Sequence, residues 1–463
     1  MLAKPFIDLV WREPSLKRGL VVCVTLALIA SIAEVAVALA LVPILVSLGV
    51  GEGSEIPPSI ASLPPITWLV AFAGLAILRS IANWRSSVQN ERSTQELAVL
   101  MQSRIYRALS TAHWDTVRRL SPPTITSALQ TQAYDASWGF SGLINVATSV
   151  FLVAAYVVSA VFVFPVILLA LIPLLALMWW SNASKNREVS SLSEDYVDAQ
   201  TDLHQRYEDW VAISRIASLG VDTNTLADRF EDRAREAAGH AVGFTRSMAR
   251  TRASYEAAVL LAVLVGVPVA WWQEFAPALL AYGLLVLVRV LPRAGSIQVG
   301  YQGVVSAVAP IQAIGRLVQQ LESGPAQKPA ESDQRLGWRD LKLSAVGVED
   351  TIREGGRRWI LHDTDLQLTH GEWLAVTGPT GVGKTTLAEA MLMLVRPDAG
   401  KLEIDGAPAD ESLAGAWRNQ AAYVPQDVVL FDASIRDNLR LYVPDASDAE
   451  LETALRQSAA DFV

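Results

Sequence analysis

Six long apolar segments alternate with polar stretches along the first part of the chain. Each is close to the roughly 20 residues that an α-helix needs to cross the hydrocarbon core of a bilayer. The pattern therefore predicts six transmembrane helices, at Gly19–Leu48, Ile66–Trp84, Gly142–Val161, Phe164–Trp180, Tyr255–Trp272 and Ala276–Leu291.

The charges between these segments predict their orientation. Alternate loops contain no Lys or Arg, as in Gly51–Pro65, whereas the other loops are rich in both, as in Lys185–Arg252. Because positive charge favours the cytoplasmic side, both termini are predicted to be cytoplasmic in an inner or plasma membrane.

The two basic loops have a helix-forming composition, so we expect the membrane helices to continue past the bilayer as hairpins. Two small soluble inserts are the alternative.

Composition supports a membrane protein joined to a soluble domain. The chain has 463 residues, of which 51% are hydrophobic, and its mean hydropathy is +0.30. Its net charge is −9, and all of the acidic excess lies in residues 336–463, with 12 Lys/Arg against 21 Asp/Glu. No basic run suggests nucleic-acid binding. The single cysteine, Cys23, excludes an internal disulfide, and the scattered histidines have no metal-ligand spacing.

A glycine-rich phosphate-binding loop lies in the acidic part, between an apolar stretch (Trp373–Val376) that predicts a strand and a helix-like run (Leu387–Val395). Its glycines let successive backbone N–H groups point at phosphate oxygens, and the following helix adds its positive end. Lys384 is placed to contact the β- and γ-phosphates, and the Thr385 hydroxyl is placed to bind Mg²⁺. The predicted nucleotide-binding residues are Gly378, Pro379, Thr380, Gly381, Val382, Gly383, Lys384, Thr385 and Thr386.

With these motifs, the chain resembles an exporter-type ABC half-transporter. The resemblance is carried by Gly371–Gly406, by the segment AAYVPQDVVLFDASIRDNL (Ala421–Leu439) and, more weakly, by Trp359–Glu372. It implies an all-α six-helix transmembrane domain (residues 1–322), a linker (323–337) and a partial α/β P-loop NTPase domain (338–463). It also implies that ATP and Mg²⁺ are cofactors and that Gln426 acts with Lys384 in catalysis, contacting Mg²⁺ or the attacking water.

The function implied by the resemblance is ATP-driven export or lipid flipping by a homodimer or heterodimer of half-transporters in contact with membrane lipid. A membrane-anchored P-loop kinase or GTPase is a weaker alternative, because six spans and the Gln426 segment argue against it. A third hypothesis is a truncated remnant that binds ATP or a partner without turnover. The chain ends before a signature sequence, a Walker B aspartate or a switch histidine is reached, so we expect slow ATP turnover by these residues alone.

The resemblance is incomplete at the adenine site. Family members usually stack adenine on an aromatic residue close to the position where this chain has Asp350. Trp359 is the nearest substitute, and we expect it to pack in the core or at an edge instead.

Charged residues within the spans predict a substrate cavity. Glu34, Arg79 and Arg289 lie deep in their segments, and Arg293 lies one turn after Arg289. Buried membrane charges usually pair or face a cavity. Glu34 and Arg79 are expected to pair, whereas Arg289 has no acidic partner nearby in sequence. The four residues therefore predict a cavity for an anionic substrate, and Val288–Gln302 faintly resembles exporters of lipid-linked oligosaccharides and peptides.

Overall fold

The computed structural model describes two compact units. They comprise Met1–Gln327, with Thr351–Gly356, and Lys328–Asp350 together with Arg357–Val463. Each is considered separately below. The residues described are 4–47, 64–163, 172, 176, 191–203, 223–272, 277–324, 336–350, 358–426, 430–441 and 443–460. Most of the predicted linker lies outside them.

The first unit is built from helices. Long apolar runs with few breakers favour helix over strand, and the few prolines inside helices sit in long membrane segments, where neighbouring helices can satisfy the freed backbone groups. The helices are α1 (Lys4–Arg12), α2 (Pro14–Ser47), α3 (Pro65–Thr111), α4 (Trp114–Arg118), α5 (Pro122–Ser127), α6 (Ala133–Val163), α7 (Thr223–Trp272), α8 (Pro277–Ser306) and α9 (Val308–Glu322). A π-helical turn (Ala128–Gln132) joins α5 to α6, and residues 191–203 are also helical.

Among the described residues, four helical stretches are long and apolar enough to cross a membrane: Pro14–Leu41, Pro65–Thr111, Pro122–Phe162 and Tyr282–Glu322. They contain the second and third predicted spans and most of the first and the sixth. The fifth span ends α7, where many side chains are outside the description. The fourth, Phe164–Trp180, lies almost wholly outside the described residues.

The membrane helices extend well beyond a bilayer thickness. Helix α3 has 47 residues and α7 has 50, which corresponds to about 70 and 75 Å at the helical rise. A hydrocarbon core is only about 30 Å thick. Helices α3 and α7 therefore each continue past that thickness as one helix, which is what the predicted hairpins require, and the hairpins themselves stay a prediction.

Helices α6 and α8 pack closely where glycines face each other. An added Cβ at Gly142 would lie 2.7 Å from the Gly300 carbonyl oxygen. An added Cβ at Gly300 would lie 2.8 Å from the Gly142 oxygen and 3.0 Å from Cγ2 of Val146. The neighbouring atoms are largely backbone and cannot turn aside, so the two helices touch because neither residue has a side chain.

Gly300→Val is therefore expected to lower the stability of the first unit by about 1–3 kcal/mol, the usual cost of overpacking. Thermal unfolding of the purified protein in detergent measures the change. Gly74→Val is the matched control, because no atom lies within 4 Å of a Cβ added at that helical glycine. Equal unfolding temperatures for the two variants would contradict the close contact.

The N-terminal helix α1 contributes to the hydrophobic core of the first unit. Phe6 and Val10 are buried in a cluster with residues of α3, α6 and α9, while Trp11 on the other face is 57% exposed. The Lys17 ammonium lies 5.1 Å from the Trp11 ring centroid. The segment therefore has a buried face with Phe6 and Val10 and an exposed face with Trp11.

The second unit contains a four-stranded sheet in the order β2-β1-β3-β4, with every neighbouring pair antiparallel. Its strands are β1 (Asp340–Asp350), β2 (Arg358–Thr369), β3 (Ala399–Ile404) and β4 (Ala407–Pro408). Helices α10 (Lys384–Met391) and α11 (Glu411–Arg418) add Leu387, Ala414 and Trp417 to its core. Helices α12 (Ile435–Arg440) and α13 (Asp448–Gln457) follow.

The strand predicted at Trp373–Val376 is not part of this sheet, and that prediction was wrong. No strand of the described residues pairs with the segment, and Trp373 is 98% exposed. An apolar run supplies the tendency to form a buried strand, but a strand also needs a hydrogen-bonded neighbour. Residues 421–425 are likewise unpaired and exposed, with Val424 at 83%.

Candidate functional site

The loop from Gly378 to Gly383 curls into the N-terminus of α10. Gly378, Gly381 and Gly383 have φ values of +153°, +82° and +100°. Gly383 is the left-handed N-cap of α10, and an added Cβ there would lie 2.9 Å from the Ile360 carbonyl oxygen. Both its backbone conformation and this close approach to β2 therefore require glycine.

The side chain of Lys384 folds back over the loop. Its Nζ donates to the carbonyl oxygens of Gly378 at 2.9 Å and Pro379 at 2.8 Å. None of the described carboxylates forms a salt bridge with it. Its positive charge consequently stays at the loop, beside the positive end of α10, where an anion is favoured.

Most of the remaining residues of the Gly378–Thr386 loop are exposed, so the surface beside Lys384 is accessible to a ligand. Thr380, Val382 and Thr385 are exposed, while Thr386 is half-buried in the first turn of α10. No atom lies within 4 Å of a Cβ added at Gly381. A flexible glycine backbone, an unpaired ammonium group and a free hydroxyl at a helix N-terminus match the donors that a polyphosphate and its Mg²⁺ require, so the residues fit ATP.

Gln426 lies at a bend after the exposed segment 421–425 and is itself exposed. No hydrogen bond joins it to the Gly378–Thr386 loop within the described part of the chain. Its predicted contact with Mg²⁺ or water thus remains a prediction. Residues 427–429, which follow it, are outside the description.

Asn438 organises the chain just after this segment, and the sequence analysis did not identify it. The Phe431 N–H donates to its Oδ1 at 2.8 Å, and its Nδ2 donates to the Phe431 oxygen at 3.0 Å. An asparagine shortly after an N-cap serine, Ser434, is the local signal that was available. These two hydrogen bonds between Asn438 and Phe431 hold the chain in place shortly after Gln426.

The adenine position is only partly described. Asp350 ends β1 opposite Arg358, and its side chain is outside the description. Trp359 lies across Gly347, where an added Cβ would be 2.6 Å from Cζ3 of the indole, and it meets the His362 ring edge-on at 5.6 Å. Trp359 therefore packs at the edge of the sheet, as expected.

In the first unit, Glu34 joins three helices through two ion pairs. Oε2 of Glu34 lies 3.2 Å from Nε of Arg79, and Oε1 lies 3.2 Å from Nη1 of Arg289. The Glu34 side chain is 7% exposed, whereas those of Arg79 and Arg289 are 28% and 44% exposed. The predicted Glu34–Arg79 pair is confirmed.

Arg289 has an acidic partner that is distant in sequence. Glu34 lies 255 residues away in sequence, and the packing of α8 against α2 brings it within hydrogen-bond distance. A guanidinium held by a buried carboxylate is largely neutralised, so Arg289 is a poor basis for an anionic substrate.

A cavity of about 770 Å³ lies among α6, the helical segment 191–203, α7 and α8. Of the four predicted cavity residues, Arg293 lines it, beside Pro292 and Ser296; Glu34, Arg79 and Arg289 are not among its lining residues. Its wall is mainly apolar, with hydroxyl and amide groups contributed by Asn145, Thr148, Ser149 and Thr245.

Four charged side chains line this cavity, and two of them neutralise each other. Nε of Arg252 lies 3.1 Å from Oε1 of Glu256. Arg293 and Asp135 form no salt bridge with any described residue. Asp135 was missed by the sequence analysis, because a single acid shortly before an apolar span normally indicates a solvated helix end.

Comparison with known proteins agrees with this geometry. Residues 361–462 match the protein-family model described as ABC transporter. The chain is 40% identical over 143 residues to a β-(1→2)glucan export ATP-binding/permease protein of Agrobacterium fabrum. The aligned residues make up 31% of this chain and 23% of that protein. It is 30% identical over 151 residues to the glutathione/L-cysteine transport system ATP-binding/permease protein of Bacillus subtilis, covering 32% of this chain and 25% of that protein. The chain thus covers about a quarter of the length of these curated relatives.

A solved structure extends the similarity to the helices. The structure of a bacterial Atm1-family ABC exporter with ATP bound superposes with a TM-score of 0.75 at 18% identity, over 96% of this chain and 78% of that one. The predicted fold class is confirmed: a helical membrane domain is followed by a smaller α/β ATP-binding domain. The predicted resemblance to an exporter-type ABC half-transporter is likewise confirmed.

Proposed function

We propose that the protein is one half of an exporter or flippase that uses ATP binding and hydrolysis to move a substrate out through the cavity of its membrane domain. The observation that carries the proposal is the curled Gly378–Gly383 loop with Lys384 folded over it, in the same chain as a cavity among long apolar helices. ATP with Mg²⁺ would be held by Gly378–Thr386, with Thr385 and Gln426 toward the metal.

ATP supplies the free energy, and the chain supplies position and charge. Lys384 places a cation beside the phosphates, where it stabilises the charge that develops during phosphoryl transfer. Gln426 offers both a donor and an acceptor without added charge, which suits a residue that orients water and reports the γ-phosphate.

A partner half-transporter, insertion in the inner or plasma membrane and cytoplasmic termini complete the proposal. They rest on the family resemblance and on the alternation of basic and uncharged loops. The relatives named above carry different cargoes, a glucan and glutathione or cysteine, so their names do not define the substrate of this chain. Arg293 remains a candidate contact for an anionic group in the cavity.

The helical hairpin tips are proposed to transmit motion between the ATP site and the membrane helices. One tip includes Ser121–Ala128 and consists of three short elements: α4, α5 and the π-helical turn. It is attached to α3 by a hydrogen bond, in which Nε2 of Gln102 donates to the Leu129 oxygen at 3.0 Å. Arg206–Ile216, for which we propose the same role at the other tip, lies outside the described residues.

Cysteine accessibility tests the coupling. In the full-length protein with Cys23→Ser, a cysteine replacing Ser296 in the cavity is labelled with a membrane-impermeant maleimide in open membrane fragments. ATP with Mg²⁺ is expected to change the labelling rate several-fold, and Lys384→Ala should remove that effect. Asp228→Cys, on the exposed part of α7, is the control. A rate at position 296 that ignores ATP would count against the proposal.

A further inference from the structure

The wall of the cavity around Asp135, which we call the Asp135 end, is formed by Asp135, Trp138, Ser193, Tyr196 and Pro310. Helices α6 and α8 run antiparallel, with Gly142 beside Gly300 and Gly139 beside Ala307, so Asp135 is level with the start of α9. The Ser193 hydroxyl donates to the Ser306 oxygen at 2.7 Å, which attaches the helical segment 191–203 to this same end.

Among the residues that the structure describes, none pairs with the carboxylate of Asp135. Its Oδ2 is buried and accepts no hydrogen bond from the described residues, and none of them forms a salt bridge with it. Tyr196 lines the cavity together with Asp135, and the pKa of its phenol is raised by burial and, in addition, by the negative charge of Asp135. A buried anionic group without a donor is costly, and a cation would remove that cost.

Arg293 cannot serve as that cation. The level of Asp135 corresponds to Pro310, and 17 residues of helix separate Pro310 from Arg293, which is roughly 20–25 Å of helical rise. Direct pairing across that distance is excluded for these side chains. The two unpaired charges thus lie toward opposite ends of the cavity.

Two aromatic side chains line the Asp135 end together with the carboxylate. Trp138 lies one helical turn after Asp135 and lines the same wall with 57% of its surface exposed. The Tyr134 ring meets it edge-on at 6.1 Å and holds its orientation. Tyr196 forms a second aromatic wall, and its hydroxyl accepts from Gln200 at 3.2 Å. No cluster of three metal-binding side chains occurs among the described residues, so an inorganic cation would find few ligands here.

We propose that the Asp135 end binds an organic ammonium group, with Asp135 as its counter-ion and with Trp138 and Tyr196 as aromatic walls. An ammonium with alkyl substituents gains from a carboxylate and from aromatic faces together, whereas a small hydrated metal ion prefers several oxygen ligands. That the group belongs to a transported cargo rests on the proposed function; the binding site itself does not.

Equilibrium dialysis of radiolabelled choline with the purified full-length protein in detergent tests the site. Choline is expected to bind saturably, and its uncharged carbon isostere, 3,3-dimethylbutanol, should not displace it at matched concentration. Asp135→Asn keeps the shape of the side chain and should weaken binding about tenfold or more, as for loss of a charged partner. Trp138→Leu should weaken it by a smaller factor.

Asp228→Asn on the exposed part of α7 is the matched control and should bind choline as the parent does. The unfolding temperature of each variant verifies that it is folded. No saturable binding by the parent, equal displacement by the isostere, or unchanged affinity in Asp135→Asn would each overturn the site. Lys384→Ala should keep choline binding while its affinity for ATP falls roughly ten- to hundredfold, so failure of the ATP site and failure of the Asp135 end give different results.

Discussion

Replacing Lys384 by alanine is expected to lower the affinity for ATP roughly ten- to hundredfold, the loss that follows from removing a charged hydrogen bond. The structure supports a large effect, because Nζ is already held at the loop by the carbonyl oxygens of Gly378 and Pro379. Little conformational entropy is left to lose when phosphates replace those oxygens as partners. Titration of the purified protein with a fluorescent ATP analogue measures the affinity.

Lys401→Ala is the matched control, since Lys401 is an exposed lysine of β3 in the same unit. It removes the same charge from the domain and should leave ATP affinity unchanged. If both variants bound ATP like the parent, the Gly378–Thr386 loop would not be the phosphate site. If both lost binding equally, net charge rather than the position of Lys384 would be responsible.

The phosphate loop was predictable because its chemistry is local. Gly383 must adopt a left-handed conformation next to the helix that it caps, and Lys384 follows it directly, so consecutive residues define the site. The long helices were predictable for a similar reason, because apolar length within one segment decides whether it crosses a bilayer.

Features that depend on distant residues were less predictable. The partner of Arg289 is supplied by α2, and nothing in the neighbouring sequence indicates it. The apolar stretch Trp373–Val376 has a strand composition, but its state depends on which strands lie beside it. Asp135 looks like an ordinary helix-end acid until three other helical segments enclose it. In each case the local sequence shows the chemical character of the residue or segment, and the elements packed around it determine its structural role.

Glu34→Ala is expected to destabilise the membrane domain by about 3 kcal/mol or more, the range for removing one partner of a buried ion pair. The change leaves Arg79 and Arg289 facing each other without the carboxylate that lies between them. Like charges then repel, so the cost exceeds the loss of the single hydrogen bond from Arg289 to Glu34. Thermal unfolding in detergent, followed by circular dichroism, measures the change.

Two further variants separate the ion-pair effect from other causes. Glu231→Ala breaks an exposed pair with Arg235 on α7 and should change stability very little, because solvent screens such pairs. Replacing all three charges, with Glu34→Leu, Arg79→Met and Arg289→Met together, should recover most of the stability lost in Glu34→Ala, since a well-packed apolar cluster often equals a buried ion pair. A Glu34→Ala protein as stable as the parent would show that the two arginines do not depend on Glu34. A triple variant no more stable than Glu34→Ala would show that the lost stability comes from packing rather than from unpaired charge.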